Sequence, residues 1–228
     1  NAVIFPGSIF PITIGRDKSI KLIEDAHKSN SLIGAVPQND VSVEDPALDD
    51  LFPFGTVARI IKTFEMPDGT ISAVLQGLKR FEIEDVVSSE PYLRAHVRYL
   101  EEFEANPEDP EIKVIADSLK EKASAIIKSS SFAPKEAANA VKSIEDFNFL
   151  VNFIATTIDV ENFFDKVELL KYEDLKVRAM KLLNVLDTQV ELLKIKQEIN
   201  SKVKNEIDQQ QREYYLNNQL RTIQEELG

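Results

Sequence analysis

The chain has 228 residues, which is enough for one or two domains with a sizeable buried core. Its 39 acidic residues against 27 Lys and Arg give a net charge of −12, which opposes binding to duplex nucleic acid. The absence of Cys excludes disulfides and thiolate chemistry, and two distant His residues, His27 and His96, leave little material for a zinc site or a His-based triad.

Two long uncharged runs exist, at residues 1–15 and 147–158, and both are too short or too interrupted to span a bilayer. The first run also lacks the basic residues of a secretory signal. Together with the lack of Cys, this favours a cytoplasmic protein without membrane partners. Because the chain opens on Asn and stops at Gly228 directly after a helix-like run, we expect a fragment of a longer protein.

Glycine and proline divide the chain. Six of the seven Gly lie at or before Gly77, whereas residues 135–227 contain neither Gly nor Pro. In the first part, β-branched runs alternate with turn residues and predict strands at residues 2–5, 9–14, 32–36, 56–64, 70–76, 78–86 and 92–100. Residues 1–105 are therefore expected to form a mostly antiparallel β domain.

Local signals refine this first part. Residues 66–69, Met-Pro-Asp-Gly, predict a hairpin turn, because Pro presets the turn angle and Gly accepts a positive φ. One helix should interrupt the strands, with Asp17 as its cap and Ile20, Ile23 and Ala26 as its apolar stripe.

An acidic segment follows at residues 101–111, with six acids, two Pro and no cation. We interpret it as a solvated connector, and an acidic docking tail is the alternative.

Helices are predicted for the rest of the chain. Residues 112–130 carry Ile115, Leu119, Ala123 and Ile126 at helical spacing, and residues 129–134 should break that helix. A second helix at residues 135–157 is expected to bury Val141, Ile144, Phe149, Phe153 and Ile154. A short helix at 161–171 follows, and residues 106–190 should form a helical bundle.

The last helix should start near residue 174, with Asp174 as its cap, and run to Leu227. Its first part has a broad apolar stripe suited to a domain core: Leu175, Leu182, Leu183, Leu186, Val190 and Leu193. From residue 191 the helix is predicted to protrude as an arm over 191–228. There a thin line of Ile195, Ile199, Val203 and Ile207 suits a single partner helix.

Beyond residues 208–211, an apolar face returns with Tyr214, Tyr215, Leu216, Leu220, Ile223 and Leu227. This face either packs within the chain or in self-association, or it faces a ligand. The whole last helix, of about 53 residues at 1.5 Å each, would be near 80 Å long if it stays straight.

Catalytic signatures are absent from the sequence. A P-loop, a Gly-x-Ser-x-Gly elbow and a His-Glu-x-x-His zinc motif each lack the required spacing. Paired acids such as Glu82 and Glu84 are typical of the wet face of a strand, and the Ser run at 129–131 beside Lys128 is typical of a loop. We therefore expect no catalytic, cofactor-binding or metal-binding residue in this chain.

Several segments resemble the amino-terminal domain of the Lon protease family, in the order that family shows. They are residues 5–12 (FPGSIFPI) followed by Gly15-Arg16, then 55–58 (GTVA), 67–70 (PDGT), 77–81 (GLKRF) and 211–228, which begins QREYYL. The last segment is the most specific and is similar to the stretch just before the Lon ATPase module. The resemblance is weakest across residues 101–145, and the family's leading Leu-Pro-x-Arg segment is missing.

The resemblance implies an α+β fold. It comprises a PUA-like β subdomain of the kind shared with cereblon, a helical bundle, and a long helix that leads into ATPase and Ser-Lys protease modules. Lon proteases are homohexamers that use ATP and Mg to unfold and degrade damaged or regulatory proteins. Their amino-terminal domain helps select unfolded or degron-bearing polypeptides and supports assembly. No Walker motif, catalytic Ser or catalytic Lys of that family has a match here, so this fragment should be inert as an enzyme.

Two site hypotheses follow. Unfolded proteins expose apolar segments, and turn residues are expected to form an accessible patch that binds them: Phe10, Pro11, Phe52, Phe54, Met66 and Pro67. The alternative is that these Phe side chains plug the ends of a barrel.

On the arm, the residues expected to touch a neighbouring subunit are Ile199, Val203, Ile207, Tyr214, Leu216 and Leu220. These contacts would fix the angle of the β domain relative to the pore of the assembled protease. The same face could instead seat the helix on the ATPase module of its own chain.

Two other functional classes compete. A free-standing adaptor or scaffold would use the arm as a dimeric coiled coil. An RNA-binding PUA-like module would need a basic groove, for which the available cations are Arg59, Lys62, Lys79, Arg80, Arg94 and Arg98. Residues 1–100 hold 10 positive and 14 negative side chains, a net charge of −4 that disfavours RNA.

Overall fold

A computed structural model describes residues 2–130 and 135–228. The chain divides into two units, one ending at Asp187 and the other starting at Thr188, and each is described by itself. Within the described residues, no helix has both the length and the apolar character needed to cross a bilayer. The predicted boundaries at residues 105 and 190 stay predictions.

The first unit begins with an antiparallel sheet, as predicted. Its strands are β1 (Ile9–Ile14), β2 (Ile33–Ala35), β3 (Phe54–Glu65), β4 (Ile71–Ser88) and β5 (Arg94–Tyr99). The order is β1-β4-β3-β2, and β5 pairs with β4 beyond β1. A helix, α1 (Asp17–Ser29), connects β1 to β2, and a short 3-10 turn lies at Leu48–Asp50.

The long strand β4 replaces two predicted strands, because it continues through Gly77. Its first half pairs with β1 and its second half with β5, while β3 lies along its other edge. The predicted strand at residues 2–5 is wrong. The residues just after that segment bind β4 at Gly77 instead: Gly7 N donates to Gly77 O at 2.9 Å, and Gly77 N donates to Ser8 O at 3.0 Å.

The predicted hairpin between β3 and β4 is confirmed. Gly69 has a φ of 84° and donates its N–H to Met66 O at 3.0 Å, and Met66 N donates to Thr70 O at 2.8 Å. Asp68 Oδ1 accepts from the backbone N and the hydroxyl of Thr70, and these hydrogen bonds lower the pKa of Asp68. The turn therefore fixes the register of the two longest strands.

Helix α1 covers one face of the sheet. Ile23 and Ala26 of α1 are buried with Ile14, Ile33, Ile60 and Leu75 of the strands. The prediction that Asp17 caps this helix is wrong, because Arg16 occupies the cap position without a side-chain bond. Asp17 is the first helical residue, where its negative charge favours the helix dipole.

Helices make up the rest of the first unit. They are α2 (Pro110–Ser129), α3 (Lys135–Ser143), α4 (Phe147–Thr157) and α5 (Phe163–Glu168), with a 3-10 turn at Leu169–Lys171. Asp109 caps α2 by accepting the N–H of Glu111 at 2.9 Å. The predicted apolar stripe of α2 is buried, and α2 packs against α3 and α4.

The predicted helix at residues 135–157 is in fact two. Asp146 Oδ1 accepts the N–H of Phe149 at 2.6 Å and starts α4 there. Val141 and Ile154 are buried as predicted, whereas Ile144 and Phe153 are half-buried and Phe149 is exposed. The predicted break at 129–134 falls partly outside the described residues, since 131–134 are not described.

The last helix, α6, runs from Leu175 to Leu227, as predicted. Asp174 is confirmed as its cap, because Asp174 Oδ1 accepts the N–H of Val177 at 2.9 Å. In the first unit, Leu175, Leu182 and Leu186 of α6 are buried. The second unit is the remaining part of this helix, and its apolar residues are exposed from Ile195 onward.

Candidate functional site

The end of the sheet nearest the β3–β4 hairpin presents an outer face built by three strands. Pro11 of β1 pairs with Val74 of β4, which pairs with Lys62 of β3. In the next row, Thr13, Ser72 and Phe64 are paired in the same way. Because directly paired residues share a face of a sheet, these side chains lie side by side.

Large apolar side chains on this surface are exposed. The exposed fractions are 59% for Ile9, 46% for Ile61, and 45% each for Phe64 and Met66, and Pro11 is exposed beside them. We call Ile9, Pro11, Ile61, Phe64 and Met66 the hairpin face. A single exposed apolar residue is ordinary, but a group that extends over β1, β3 and the hairpin, from Ile9 opposite Gln76 to Phe64 opposite Ser72, is typical of an interaction surface.

Charges around the hairpin face are mixed. Lys62 places its Nζ 4.7 Å from the centre of the Phe64 ring, which is an attractive cation–π arrangement. Arg59, Glu65 and Asp68, which lie in or near the hairpin in the sequence, are also exposed. The surface can therefore contact apolar groups without selecting one sign of charge.

The six predicted patch residues are placed in several environments. Phe10 and Pro11 lie in β1 and not in a turn, which corrects the prediction. Phe10 packs against the core under α1, whereas Pro11 points to the opposite, exposed face. A proline is compatible with β1 because β1 is an edge strand that pairs only with β4 among the described residues.

Phe52 and Phe54 lie far from the hairpin. The Phe52 ring packs on Phe164, with centroids 5.7 Å apart, and Phe54 starts β3 opposite Glu82. Met66 follows the other end of this strand, roughly 40 Å away for 12 residues of extended chain. The structure therefore brings Pro11, Met66 and Pro67 to one end and leaves the two Phe at the other.

A buried charge cluster was missed by the sequence analysis. Arg80 of β4 and Arg178 of α6 are both fully buried, and both bind Glu102 of the connector. Arg80 Nε donates to Glu102 Oε1 at 2.8 Å, and Arg178 Nη2 donates to Glu102 Oε2 at 2.9 Å. The prediction of a solvated connector is wrong at Glu102, which is only 24% exposed.

Backbone oxygens add three hydrogen bonds to this cluster. Arg80 Nη1 donates to the carbonyls of Leu170 and Tyr172 at 2.6 and 2.7 Å, and Arg178 Nη1 donates to Tyr172 O at 3.1 Å. Burial lowers the pKa of Arg178, and the positive charge of Arg80 lowers it further. The cluster thus joins the sheet to the start of α6, and it removes Arg80 from the cations available to RNA.

A second buried cation was also missed. Lys166 of α5 donates from Nζ to Thr156 O at 3.1 Å and Ile158 O at 2.7 Å, the carbonyls at the end of α4. Burial lowers the pKa of Lys166 to about 8. Neither Arg80 nor Lys166 stands out in the sequence, because each lies among ordinary charged neighbours.

Within the described ranges, no three His, Asp or Glu side chains lie together as a metal site requires.

Sequence comparison finds one family. Residues 1–188 match the family described as the ATP-dependent protease La (LON) substrate-binding domain. The whole chain is 46% identical to the Lon protease of Flavobacterium johnsoniae and 41% identical to that of Cytophaga hutchinsonii. In each case the match covers 100% of this chain, which spans 28% of the length of the relative.

Two solved structures share the fold. The N-terminal domain of the Mycobacterium avium complex Lon protease aligns with a TM-score of 0.64 and 22% identity, over 82% of this chain and 94% of that one. The Lon N-terminal domain protein from Xanthomonas campestris aligns with a TM-score of 0.57 and 17% identity, over 80% and 92% of the two chains.

Proposed function

The chain belongs to the family of Lon substrate-binding domains, and we propose that its hairpin face binds apolar segments of unfolded polypeptides that are to be degraded. The chain is the non-catalytic substrate-recognition part of a Lon-type protease. Similarity to Lon proteases over the full chain opposes a free-standing adaptor.

The rest of the protein is proposed by analogy with those relatives. In the proposal, a homohexamer in the cytoplasm binds ATP and Mg and cleaves misfolded and regulatory proteins with modules outside this chain. The chain itself contributes recognition and assembly. Nucleic acid and membrane are not proposed as partners.

The exposure of the hairpin face supports this role. Unfolded chains differ from folded ones in exposing apolar side chains, so a receptor needs an accessible apolar surface. Four large side chains with exposed fractions between 45% and 59% provide it. Met66 adds an unbranched, adaptable side chain that can fit many sequences.

Of the predicted patch residues, Pro11, Met66 and Pro67 stay in the proposal. Phe10 packs against the core and Phe52 packs on Phe164, so neither is included in the proposed surface. Phe54 is half-buried at the start of β3, so it too is left out of the proposed surface.

The test is a double variant, Phe64→Ser with Met66→Ser. Binding to a reduced and carboxymethylated model protein, which stays unfolded, is measured by fluorescence anisotropy. We expect at least tenfold weaker binding, because two apolar side chains lose their contact with the substrate.

The matched control is Val41→Ser with Val114→Ser. These valines are 57% and 65% exposed and lie outside the hairpin face. The control should bind normally, and both variants should keep the melting temperature of the parent within a few degrees. Equal affinities of parent, variant and control would refute the role of the hairpin face.

For the arm, we propose that Ile199, Val203, Ile207, Tyr214, Leu216 and Leu220 contact a neighbouring subunit. Their exposed fractions lie between 47% and 70% within the second unit, which no globular core explains. Assembly in the parent protein would bury them.

A further inference from the structure

The first unit contains a groove of about 660 Å³ bordered by α1, β2 and β5. Its lining is largely apolar and includes Leu32, Val36, Ile83, Leu93, Ala95 and Val97. No residue of the hairpin face lines it. Its volume lies in the range of pockets that hold a ligand or a few side chains.

Unpaired strand edges border this groove. Among the described residues, β2 pairs only with β3 and β5 only with β4, so each strand has one edge without a partner strand. A free edge presents backbone N–H and C=O groups to which another extended chain can pair.

Gly34 makes one of these edges accessible. It is the middle residue of β2, it is exposed, and it lines the groove, so the wall is bare main chain at this point. A residue larger than glycine would be crowded at position 34, because an added Cβ would lie 3.0 Å from Cζ of Phe81. An approaching backbone therefore meets no side chain on Gly34.

The charges on the rim balance. Arg16, Lys18 and Arg94 face Asp25, Glu44 and Asp45 in the lining. Lys18 is already engaged by Asp45 at 2.8 Å and Glu90 at 2.9 Å, and Arg16 donates to Gln38 Oε1 at 2.6 Å. Because the lining has no excess of positive charge, it does not favour a phosphate or another highly charged ligand. It suits an uncharged apolar segment.

We propose that the groove binds one extended segment of a polypeptide, which pairs with the free edge of β2 and directs apolar side chains onto Leu32, Val36 and Val97. The inference rests on the proposed function, because the segment belongs to an unfolded substrate, but it assigns a second and separate surface. Backbone pairing is independent of sequence, so it suits a receptor for many substrates.

The probe is a fluorescent ten-residue peptide in which Val alternates with Thr, together with two N-methylated versions. Each version carries methyl groups on the backbone N–H groups of one edge only. We expect one version to bind like the parent peptide and the other to bind at least tenfold more weakly, because only one edge pairs with β2. If the two N-methylated versions bind equally well, whether as tightly as the parent peptide or more weakly, the proposed pairing with β2 is wrong.

Protein variants separate this site from the hairpin face. Leu32→Asp should weaken peptide binding at least tenfold, whereas Val114→Asp, a matched exposed control, should not. If Leu32→Asp lowers stability, Ala95→Glu tests the opposite wall. The Phe64→Ser with Met66→Ser variant should bind the peptide normally, and normal peptide binding by both groove variants would overturn the inference while leaving the hairpin face intact.

Discussion

Gly77 and Phe5 approach each other so closely that no side chain fits between them. An ideal Cβ on Gly77 would lie 2.3 Å from the carbonyl oxygen of Phe5 and 2.9 Å from Cγ2 of Ile4. Gly77 also exchanges backbone hydrogen bonds with residues 7 and 8. The glycine lets the amino-terminal segment lie directly on the middle of β4.

We therefore expect Gly77→Ala to lower the free energy of unfolding by about 3 kcal/mol, because the nearest obstructing atom is a backbone carbonyl oxygen that cannot yield easily. Urea denaturation measures the change. Gly15→Ala is the control, since its Cβ would meet only Cγ2 of Thr70, at 3.5 Å. A Gly77→Ala protein as stable as this control would contradict the close approach.

Glu102 is the carboxylate that two buried arginines share. Replacing it by Gln removes the negative charge that both Arg80 and Arg178 bind, so we expect the free energy of unfolding to fall by about 3 kcal/mol. Glu168→Gln is the comparison, because the ion pair of Glu168 with Lys171 is exposed and should matter little. Equal stability of the two variants would show that Glu102 does not hold the cluster together.

The buried Lys166 predicts a pH dependence. Its pKa is about 8 in the folded chain against an ordinary 10.5. Between these values the unfolded state binds a proton that the folded state has released, so the contribution of Lys166 to the free energy of unfolding rises with pH. Below pH 8 both states are protonated and the contribution is constant.

Lys166→Met removes this dependence. From pH 7.5 to pH 10, the stability of the parent should rise relative to that of the variant by about 2 kcal/mol. Chemical denaturation at several pH values gives the two curves. A constant difference between them across this range would mean that Lys166 keeps its ordinary pKa.

The arm residues predict self-association. Val203→Asp puts a charge in the middle of the Ile199, Val203 and Ile207 line, and we expect it to weaken self-association at least tenfold in sedimentation experiments. Asn205→Asp is the control, since it adds the same charge to a polar position of the same helix. If Val203→Asp associates like the control, this line faces another part of its own protein.

Much of the fold follows from patterns along the chain. Alternating strand residues, the Pro-Asp-Gly turn and the Gly-free carboxyl-terminal part predicted the sheet, the hairpin and α6. The errors occur where a local signal has two meanings. Gly77 was read as a break between strands, but in the structure its missing side chain serves contact with Phe5. At Asp146 a cap divides two helices without any Gly or Pro to indicate it.

The candidate site was only partly predictable. Proline and glycine neighbours suggested loops for Phe10 and Phe54, but an edge strand tolerates Pro11, and β3 begins at Phe54. Ile9, Ile61 and Phe64 were missed, because exposure depends on which face of the sheet α1 covers. Glu102 was hidden in an acidic run, since its partners come from β4 and α6, 22 and 76 positions away.

Arg80 and Arg178, which share the carboxylate of Glu102, also limit the substitutions that homologues of this chain can accept. Both arginines depend on one carboxylate, so the loss of Glu102 leaves two buried positive charges without it, and the loss of either arginine breaks the link between β4, the connector and α6. Positions 80, 102 and 178 should consequently be inherited as a unit, with neutral replacements arising at all three together. In homologues whose surrounding loop sequences differ, the arginines at positions 80 and 178 should still occur together with the carboxylate at position 102.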